Sequence, residues 1–236
     1  MRLLLIADVH ANWEALLTLQ RAEKQPDAVL SAGDAVGYGP DPALCARWLL
    51  THASPAVRGN HDAAMAAGAC SGAPAELAEA AEDTLAYARR MVAPAEVAGL
   101  AHWPLTATAE YGGARFYIVH GTPADPLNGA LNAATASDAE LDALFGDIAA
   151  DVIVLGHTHM PALRRFGDKL IVNPGSLGQP RYGVPDATFA AWEDGRIQIH
   201  HLHYDHDATM RRLRLAPLDP ETVETLVDVL EHGMIG

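Results

Sequence analysis

The chain has 236 residues, half of them hydrophobic, and carries a formal net charge of −14. This length suits one large α/β domain with a single sizeable core. The acidic balance provides no basic stripe for a phosphate backbone, so a long nucleic acid is not an expected partner.

The N-terminal segment MRLLLIADVH reaches Asp8 after only five apolar residues, which is too short for the core of a signal peptide. No run of about 18 apolar residues follows, so no membrane span is expected. The two cysteines, Cys45 and Cys70, form no disulfide framework and favour a reducing compartment. These features predict a soluble cytoplasmic protein.

Apolar runs alternate with helical patterns over the first third of the chain. Strands are predicted over residues 3–8, 28–34 and 56–62, and helices over residues 12–24 and 41–52. The second helix has Asp41 at its N-cap and Pro42 at its first position. The order βαβαβ favours strands that are parallel and buried on both faces.

Residues 75–92 have the clearest helical periodicity, and a short helix follows over 94–101. We interpret the region of about 63–105 as a helical insertion within a single domain spanning 1–236. Further strands are predicted over 115–121, 151–159 and 169–176, hairpins over 106–120, 163–172 and 187–204, and a final helix over 220–232.

Polar side chains follow five of the predicted strands at the point where each strand ends. In open α/β sheets, ligands collect outside these carboxyl ends. A turn or a core hydrogen bond would explain any one of these residues, but not the recurrence at five strand ends. The residues are Asp8 and His10, Asp34, Asn60 and His61, His120, and His157 with His159.

The motifs that contain these residues resemble those of the calcineurin-like metallophosphoesterases. In chain order they are D-x-H at 8–10, GD at 33–34, GNHD at 59–62, HG at 120–121 and GHTH at 156–159. The stretches GDAVGYGPDP (33–42) and NPGSLGQPR (173–181) are similar to the small bacterial and archaeal phosphodiesterase branch. The resemblance implies an α/β fold, a four-layer αββα sandwich of two mixed β-sheets flanked by helices.

Carboxylate, imidazole and amide donors without a thiolate suit Mn²⁺, Fe or Zn²⁺. The resemblance implies two divalent metal ions, with Mn²⁺ as the first expectation and Fe, Zn²⁺ or Ni²⁺ as the others. It implies that Asp8, His10 and His159 hold one ion, that Asn60, His120 and His157 hold the other, and that Asp34 bridges them.

The implied activity is hydrolysis of small phosphodiesters by attack of a hydroxide that bridges the two ions. The alternatives are a phosphomonoesterase, either a protein phosphatase or a dinucleoside polyphosphate hydrolase, and a non-catalytic scaffold of the same fold. The expected partner is a small phosphate ester, and the sequence leaves a homo-oligomer open.

The resemblance also implies a catalytic role for His61, as the acid that protonates the leaving oxygen. For Asp62 we expect a catalytic role, in which its negative charge orients the His61 ring or raises the pKa of that ring, and capping of a helix is an equal and compatible alternative. For Arg58, which precedes this turn, we expect a salt bridge.

Three further residues are candidate substrate contacts. Arg181 either reaches the substrate phosphate with a bidentate fork or lies on the surface, and Tyr38 is expected to line the same cleft. Asn12 either orients a ligand or caps the first helix, and we favour the cap. The late cluster HHLHYDH (200–206) is interpreted as an exposed strand edge rather than a second metal site.

Overall fold

Two mixed five-stranded sheets pack face to face in the computed structural model, which describes residues 1–236. The first sheet has the order β10-β9-β1-β2-β3 and the second β4-β5-β6-β8-β7. The strands are β1 (Arg2–Ile6), β2 (Ala28–Ser31), β3 (Ala53–Ala56), β4 (Thr106–Tyr111), β5 (Ala114–Val119), β6 (Val152–Val154), β7 (Ala162–Phe166), β8 (Lys169–Asn173), β9 (Ala187–Glu193) and β10 (Arg196–Leu202).

Each sheet contains three parallel strands. In the first sheet β1, β2 and β3 run parallel, and β9 and β10 join antiparallel on the other side of β1. In the second sheet β5, β6 and β8 run parallel, with β4 and β7 antiparallel at its two edges. Three carboxyl ends in each sheet therefore point the same way.

Eight α-helices flank the sheets or join their strands. They are α1 (Trp13–Ala22), α2 (Pro42–His52), α3 (Asn60–Ala67), α4 (Ala78–Met91), α5 (Pro94–His102), α6 (Asp138–Phe145), α7 (His206–Leu215) and α8 (Pro220–His232), with a 3₁₀ turn at Ala75–Leu77 before α4. None of these helices has both the length and the apolar character needed to cross a membrane.

The alternation of side chains along β1 shows why the sheets are layered. Leu3 and Leu5 pack into the core between the two sheets, together with Phe116 of the second sheet. Leu4 and Ile6 point the other way, into the core that β1 shares with α1 and α2. Full burial of one such side chain contributes roughly 1.5–3 kcal/mol, so the continuous apolar run stabilises both layers.

The expected four-layer α/β architecture is confirmed, and so are the three predicted hairpins. The predicted helices over 12–24, 41–52, 94–101 and 220–232 correspond to α1, α2, α5 and α8, and that over 75–92 to the 3₁₀ turn with α4. The helices α3, α4 and α5 all lie between β3 and β4.

The strand predicted over 56–62 is wrong. The strand β3 ends at Ala56, and the chain enters α3 at Asn60. The carboxylate of Asp62 accepts a hydrogen bond from the Gly59 amide at 3.1 Å, which closes the first turn of α3. The helices α6 and α7 were not predicted from the sequence.

Asn12 ties three separate segments together. Its Oδ1 accepts from the Ala15 amide at the start of α1 and from the Thr209 hydroxyl of α7. Its Nδ2 donates to the Gly178 carbonyl at 2.8 Å and to the Tyr204 hydroxyl at 3.0 Å. The predicted helix cap is confirmed, and both amide atoms are already paired inside the protein.

We expect Asn12→Ala to lower the free energy of unfolding by about 2–4 kcal/mol, because it removes a helix cap and leaves buried polar partners unpaired. Urea denaturation would measure the change. The control is Asn132→Ala, which loses a single bond to the Ala134 amide in an exposed loop and should cost less than about 1 kcal/mol. An equal decrease in the free energy of unfolding for the two variants would contradict the proposed role of Asn12 in joining the three segments.

Candidate metal centre

The parallel strands of the two sheets deliver all seven predicted metal ligands to one place. Six of them are buried and His157 is half-buried. Asp8 and His10 follow β1, Asp34 follows β2, Asn60 follows β3, His120 follows β5, and His157 and His159 follow β6. The turn after each strand carries its side chains to a shared edge, as expected for an α/β sheet.

One group consists of Asp8, His10 and His159, whose ligand atoms lie within 4.8 Å of one another. The Nε2 atoms of His10 and His159 are 3.0 Å apart. The Asp8 Oδ1 lies 3.5 Å from the His159 Nε2 and 3.9 Å from the His10 Nε2. This is a carboxylate–imidazole set of the kind that binds Mn²⁺, Fe or Zn²⁺.

A second group consists of Asn60, His120 and His157. The Asn60 Oδ1 lies 2.9 Å from the His120 Nε2 and 3.2 Å from the His157 Nδ1. The amide of Asn60 is fixed in this orientation because its Nδ2 donates to the Ser71 carbonyl at 2.6 Å. The oxygen of Asn60 therefore faces both imidazoles.

Asp34 lies between the two groups. Its Oδ2 is 3.4 Å from the His120 Nε2 of the second group and 3.7 Å from the His10 Nε2 of the first. Its Oδ1 accepts from the His61 amide at 2.9 Å. A single carboxylate therefore faces histidines of both groups.

The tautomers of three histidines follow from their backbone contacts. The Nδ1 of His10 faces the Val36 carbonyl at 3.0 Å, and that of His120 faces the Ala32 carbonyl at 2.8 Å. The Nδ1 of His159 faces the Gln179 carbonyl at 2.5 Å. A carbonyl only accepts, so each Nδ1 carries a proton. Burial lowers the pKa of His10 and His159, so their rings are neutral and each Nε2 presents a lone pair to the centre. Burial acts in the same direction on His120, but the Asp34 carboxylate outweighs it and raises the pKa of His120 to about 9, and a bound cation would have to displace the second proton of this ring.

This arrangement fits a bound cation. The Nε2 atoms of His10 and His159 present lone pairs to each other, so no hydrogen bond can form between them. The Oδ2 of Asp8 is buried and has no hydrogen-bond partner. A divalent ion would satisfy both nitrogens and the carboxylate, and a separation of 3.0 Å suits two imidazoles on one ion.

The titration of the groups supports the same conclusion. Burial lowers the pKa of His10 and His159 well below the usual range, so both are neutral near pH 7, as metal ligands must be. Burial lowers the pKa of His157 to about 4. Burial raises the pKa of Asp8 to about 7, because the loss of hydration of its carboxylate outweighs the attraction of His120 and Arg181.

The backbone is strained at the same positions. Five of the candidate ligands have left-handed φ angles, namely Asp8, His10, Asp34, His157 and His159. Each such non-glycine residue costs of order 1–3 kcal/mol, and residues of this kind cluster at functional sites. Asp34 is packed so closely that a Cβ on Gly59 would lie 2.0 Å from its Oδ1.

His61 lies beside this centre. Its ring centroid is 5.0 Å from that of His10 and 4.6 Å from that of Tyr38, and its ring nitrogens make no hydrogen bond within the protein. One of its ring nitrogens is within 4.8 Å of ligand atoms of His10 and Asp34. The ring is therefore placed to meet a group bound at the centre.

Arg181 and Tyr38 form one wall. The Arg181 guanidinium lies 5.5 Å above the Tyr38 ring and donates to the Gln179 Oε1 at 2.6 Å. It is half-buried rather than a free surface residue, and its positive charge helps to lower the pKa of His10, His157 and His159. Tyr38 is buried, and burial raises its pKa to about 12.

Gln179 is a residue that the sequence analysis missed. Its carbonyl fixes His159 and its side chain holds Arg181. The motif NPGSLGQPR marked the segment but gave no role to this glutamine.

Asp62 serves the backbone rather than His61. Its carboxylate accepts from the amides of Asp34, Ala35 and Gly59 at 2.8–3.1 Å, and no hydrogen bond joins it to the His61 ring. Of the two roles expected for Asp62, these contacts agree with the helix cap, since the Gly59 amide precedes α3. They place Asp62 as a positioning residue that holds the Asp34 turn against the start of α3.

Two neighbouring expectations need correction. Arg58 forms no salt bridge, since its guanidinium donates to the Ala101 carbonyl of α5 at 2.7 Å. Asp41 occupies the N-cap position of α2 but makes no side-chain cap, because its carboxylate pairs with Arg212 instead.

Residues 1–195 match the family model described as the calcineurin-like phosphoesterase superfamily domain. An uncharacterized protein of Methanocaldococcus jannaschii is 24% identical over 234 residues, which cover 85% of this chain and 86% of that protein. A crystal structure of a metallophosphoesterase from Sphaerobacter thermophilus has a TM-score of 0.82 and 27% identity, covering 99% of both chains. A hypothetical protein of Pyrococcus horikoshii, 18% identical, has the same TM-score over 100% of this chain and 99% of its own and so shares the fold.

We expect Gly59→Ala to bind at least one Mn²⁺ fewer per chain than the wild type, because the new methyl group would displace the Asp34 carboxylate. Elemental analysis after dialysis against Mn²⁺ would measure the loss. Gly59 has an ordinary φ of −87°, so the substitution adds no backbone strain. In the control Gly113→Ala, nothing lies within 4 Å of the added Cβ. Its φ of +79° strains the exposed β4–β5 turn, which lies away from the ligands, so metal content should be unchanged. Wild-type metal content in Gly59→Ala would contradict the tight contact.

Proposed function

This chain belongs to the calcineurin-like phosphoesterase superfamily, and we propose that it is a metal-dependent phosphodiesterase that acts on small phosphodiesters. The observation that carries the proposal is the pair of ligand groups that share Asp34, with lone pairs of His10 and His159 facing each other at 3.0 Å. This donor set calls for divalent cations rather than for an organic cofactor.

Asp8, His10 and His159 would hold one ion, Asn60, His120 and His157 would hold the other, and Asp34 would contact both. When bound, the two ions would polarise the phosphoryl oxygens and lower the pKa of a water molecule. Mn²⁺ suits the mixture of carboxylate, amide and imidazole donors, and Fe, Zn²⁺ and Ni²⁺ are its competitors.

Arg181 is the residue that orients the phosphate. Its guanidinium donates two hydrogen bonds to the Gln179 side chain and stacks over the Tyr38 ring. These contacts fix its orientation before a substrate binds. A fixed guanidinium binds phosphate oxygens at a smaller entropic cost than a mobile one. Tyr38 therefore acts as a positioning residue for both Arg181 and His61.

His61 is the proton donor to the leaving oxygen. Burial lowers its pKa in the free protein, but a phosphate anion beside the ring would favour the protonated form. Both ring nitrogens lack a protein partner, so one of them is available to the substrate. Asp34 accepts from the His61 amide and thus fixes the backbone from which the ring projects.

An open cleft of about 480 Å³ lies beside His157 and Arg181, and it has room for the second ester group of a diester. Apart from these two residues its walls carry no ionisable side chain. They come from the insertion, from the loop between β5 and α6, from the segment after β6 and from the C-terminal residues. These residues are Gly72, Ala73, Pro74, Ala130, Thr158, Met160, Met234 and Ile235. Such walls favour an uncharged organic group on the phosphate over a second anionic group.

We expect the Mn²⁺-loaded protein to hydrolyse a diester such as bis(4-nitrophenyl) phosphate at least tenfold faster, in kcat/KM, than the monoester 4-nitrophenyl phosphate. The reason is that only the diester has, besides its leaving nitrophenolate, a second neutral group for the uncharged cleft, where the monoester has an anionic oxygen. Nitrophenolate release at saturating Mn²⁺ measures both rates, and Asp34→Ala is the inactive control. A faster monoester reaction would make the chain a phosphomonoesterase, and activity on neither ester would leave a scaffold.

We expect His61→Ala to retain the metal content of the wild type and to lose about 10²–10⁴-fold in kcat on an alkyl ester, whose leaving alkoxide needs a proton. The loss should be much smaller on a nitrophenyl ester, because nitrophenolate leaves without protonation. Matched assays on a methyl and a nitrophenyl diester would compare the two. The comparison variant is Asn60→Ala, in which excess Mn²⁺ should restore part of the rate. Equal losses of His61→Ala on both esters would reject His61 as the acid.

A further inference from the structure

A separate set of three metal-ligand side chains lies at the outer edge of the first sheet, away from the candidate metal centre. It consists of Asp186, His203 and His206, whose ligand atoms lie within 4.8 Å of one another. Asp186 precedes β9, His203 follows the edge strand β10, and His206 is the first residue of α7. Of the residues 200–206 interpreted as an exposed strand edge, only 200–202 belong to the edge strand β10, and Tyr204 is buried. The approach of Asp186 to this segment was not predicted, and it completes a ligand set where the sequence favoured no second metal site.

We propose that Asp186, His203 and His206 bind one divalent cation of the Zn²⁺ type, independently of the phosphoesterase centre. Two imidazoles and one carboxylate form a three-ligand set that suits Zn²⁺, with water completing the coordination. The same set is poorly suited to Mg²⁺ or Ca²⁺, which prefer oxygen ligands.

The distances support a shared ion. The His203 Nδ1 lies 3.0 Å from the Asp186 Oδ1, a separation that suits two atoms bound to one ion. The rings of His203 and His206 are 5.2 Å apart and nearly perpendicular. The His203 side chain is 81% exposed, so it can close the remaining gap without moving the backbone.

A simple ion pair between His203 and Asp186 would leave part of the group unexplained. A hydrogen bond from His203 to Asp186 does not involve His206, whose Nε2 is buried and has no hydrogen-bond partner. One cation bound by Asp186 and both imidazoles would include all three side chains.

The surrounding charge also favours a cation. Asp205 and Asp207 flank His206, and with Asp186 they place three carboxylates around it, while Arg211 supplies one guanidinium 3.8 Å from Asp205. The positive end of the α7 dipole opposes a cation, but the carboxylate of Asp205 caps it by accepting from the Ala208 amide at 2.8 Å.

An ion in this position would link residues 182–186, which follow Arg181, to β10 and α7. The hydroxyl of Tyr182 donates to the Asp186 carbonyl at 3.0 Å and lies 2.9 Å from the His201 Nδ1. Binding of Asp186 to His203 and His206 would add a direct link from this segment to β10 and α7.

Equilibrium dialysis against Zn²⁺ alone, followed by elemental analysis, tests the proposal on the full chain. We expect one Zn²⁺ fewer per chain in His203→Ala and in His206→Ala than in the wild type, whatever number the phosphoesterase centre holds. Mn²⁺-dependent ester hydrolysis should stay within twofold of the wild type in His203→Ala, because His203 lies outside that centre.

The matched control is His201→Ala, which removes a neighbouring exposed histidine that pairs with Tyr182 and lies outside the group. Its zinc content should equal that of the wild type. Anomalous scattering at the zinc edge should place the additional ion between Asp186 and His206. Equal zinc content in the wild type and His203→Ala would overturn the proposal, and so would an equal loss in His201→Ala, which would indicate non-specific binding to surface histidines.

Discussion

The buried carboxylate of Asp34 is the group on which the rest of the candidate metal centre depends. Its two oxygens face different elements, since Oδ1 accepts from the His61 amide and Oδ2 lies near His120 and His10. Asp62 fixes the turn that follows β2, because its carboxylate accepts hydrogen bonds from the Asp34 and Ala35 amides. Loss of the Asp62 carboxylate would leave these buried donors unpaired, at about 1–3 kcal/mol each. The position of one carboxylate thus connects β2 to α3 and to the second sheet.

The fold makes this convergence possible because both sheets end their parallel strands at the same edge. The short turns there leave five candidate ligands in left-handed backbone conformations, which destabilise the free chain by of order 1–3 kcal/mol each. The facing lone pairs of His10 and His159 and the desolvated carboxylate of Asp8 add to that cost. Bound cations would offset it directly, because they interact with the same atoms. Metal binding and folding of these turns are therefore expected to be coupled.

The sequence predicted the parts of the molecule that local patterns encode. Apolar runs located most of the strands, and motif order identified the ligands that the structure brings together. Helix α3 was missed because NHDAAMAA has no apolar stripe, and its start depends on contacts of Asp62 with Asp34 and Ala35, far away in sequence. The approach of Asp186 to His203 depends on the pairing of β9 with β10, which no short pattern reports. The salt bridge predicted for Arg58 is absent, because its guanidinium donates instead to a carbonyl of α5, a contact that no short sequence pattern reports.

Charge and shape together connect the proposed chemistry to a class of substrate. Two divalent ions would bring four positive charges to a centre in which Asp8 and Asp34 supply only two negative ones, and Arg181 adds another positive charge nearby. This local surplus attracts a phosphate, although the chain as a whole has a net charge of −14 and repels extended polyanions. The cleft beside Arg181 favours an uncharged group on the phosphate, because its walls carry no ionisable side chain other than His157 and Arg181. The proposed substrate, a small phosphate ester with a neutral organic group, meets both conditions.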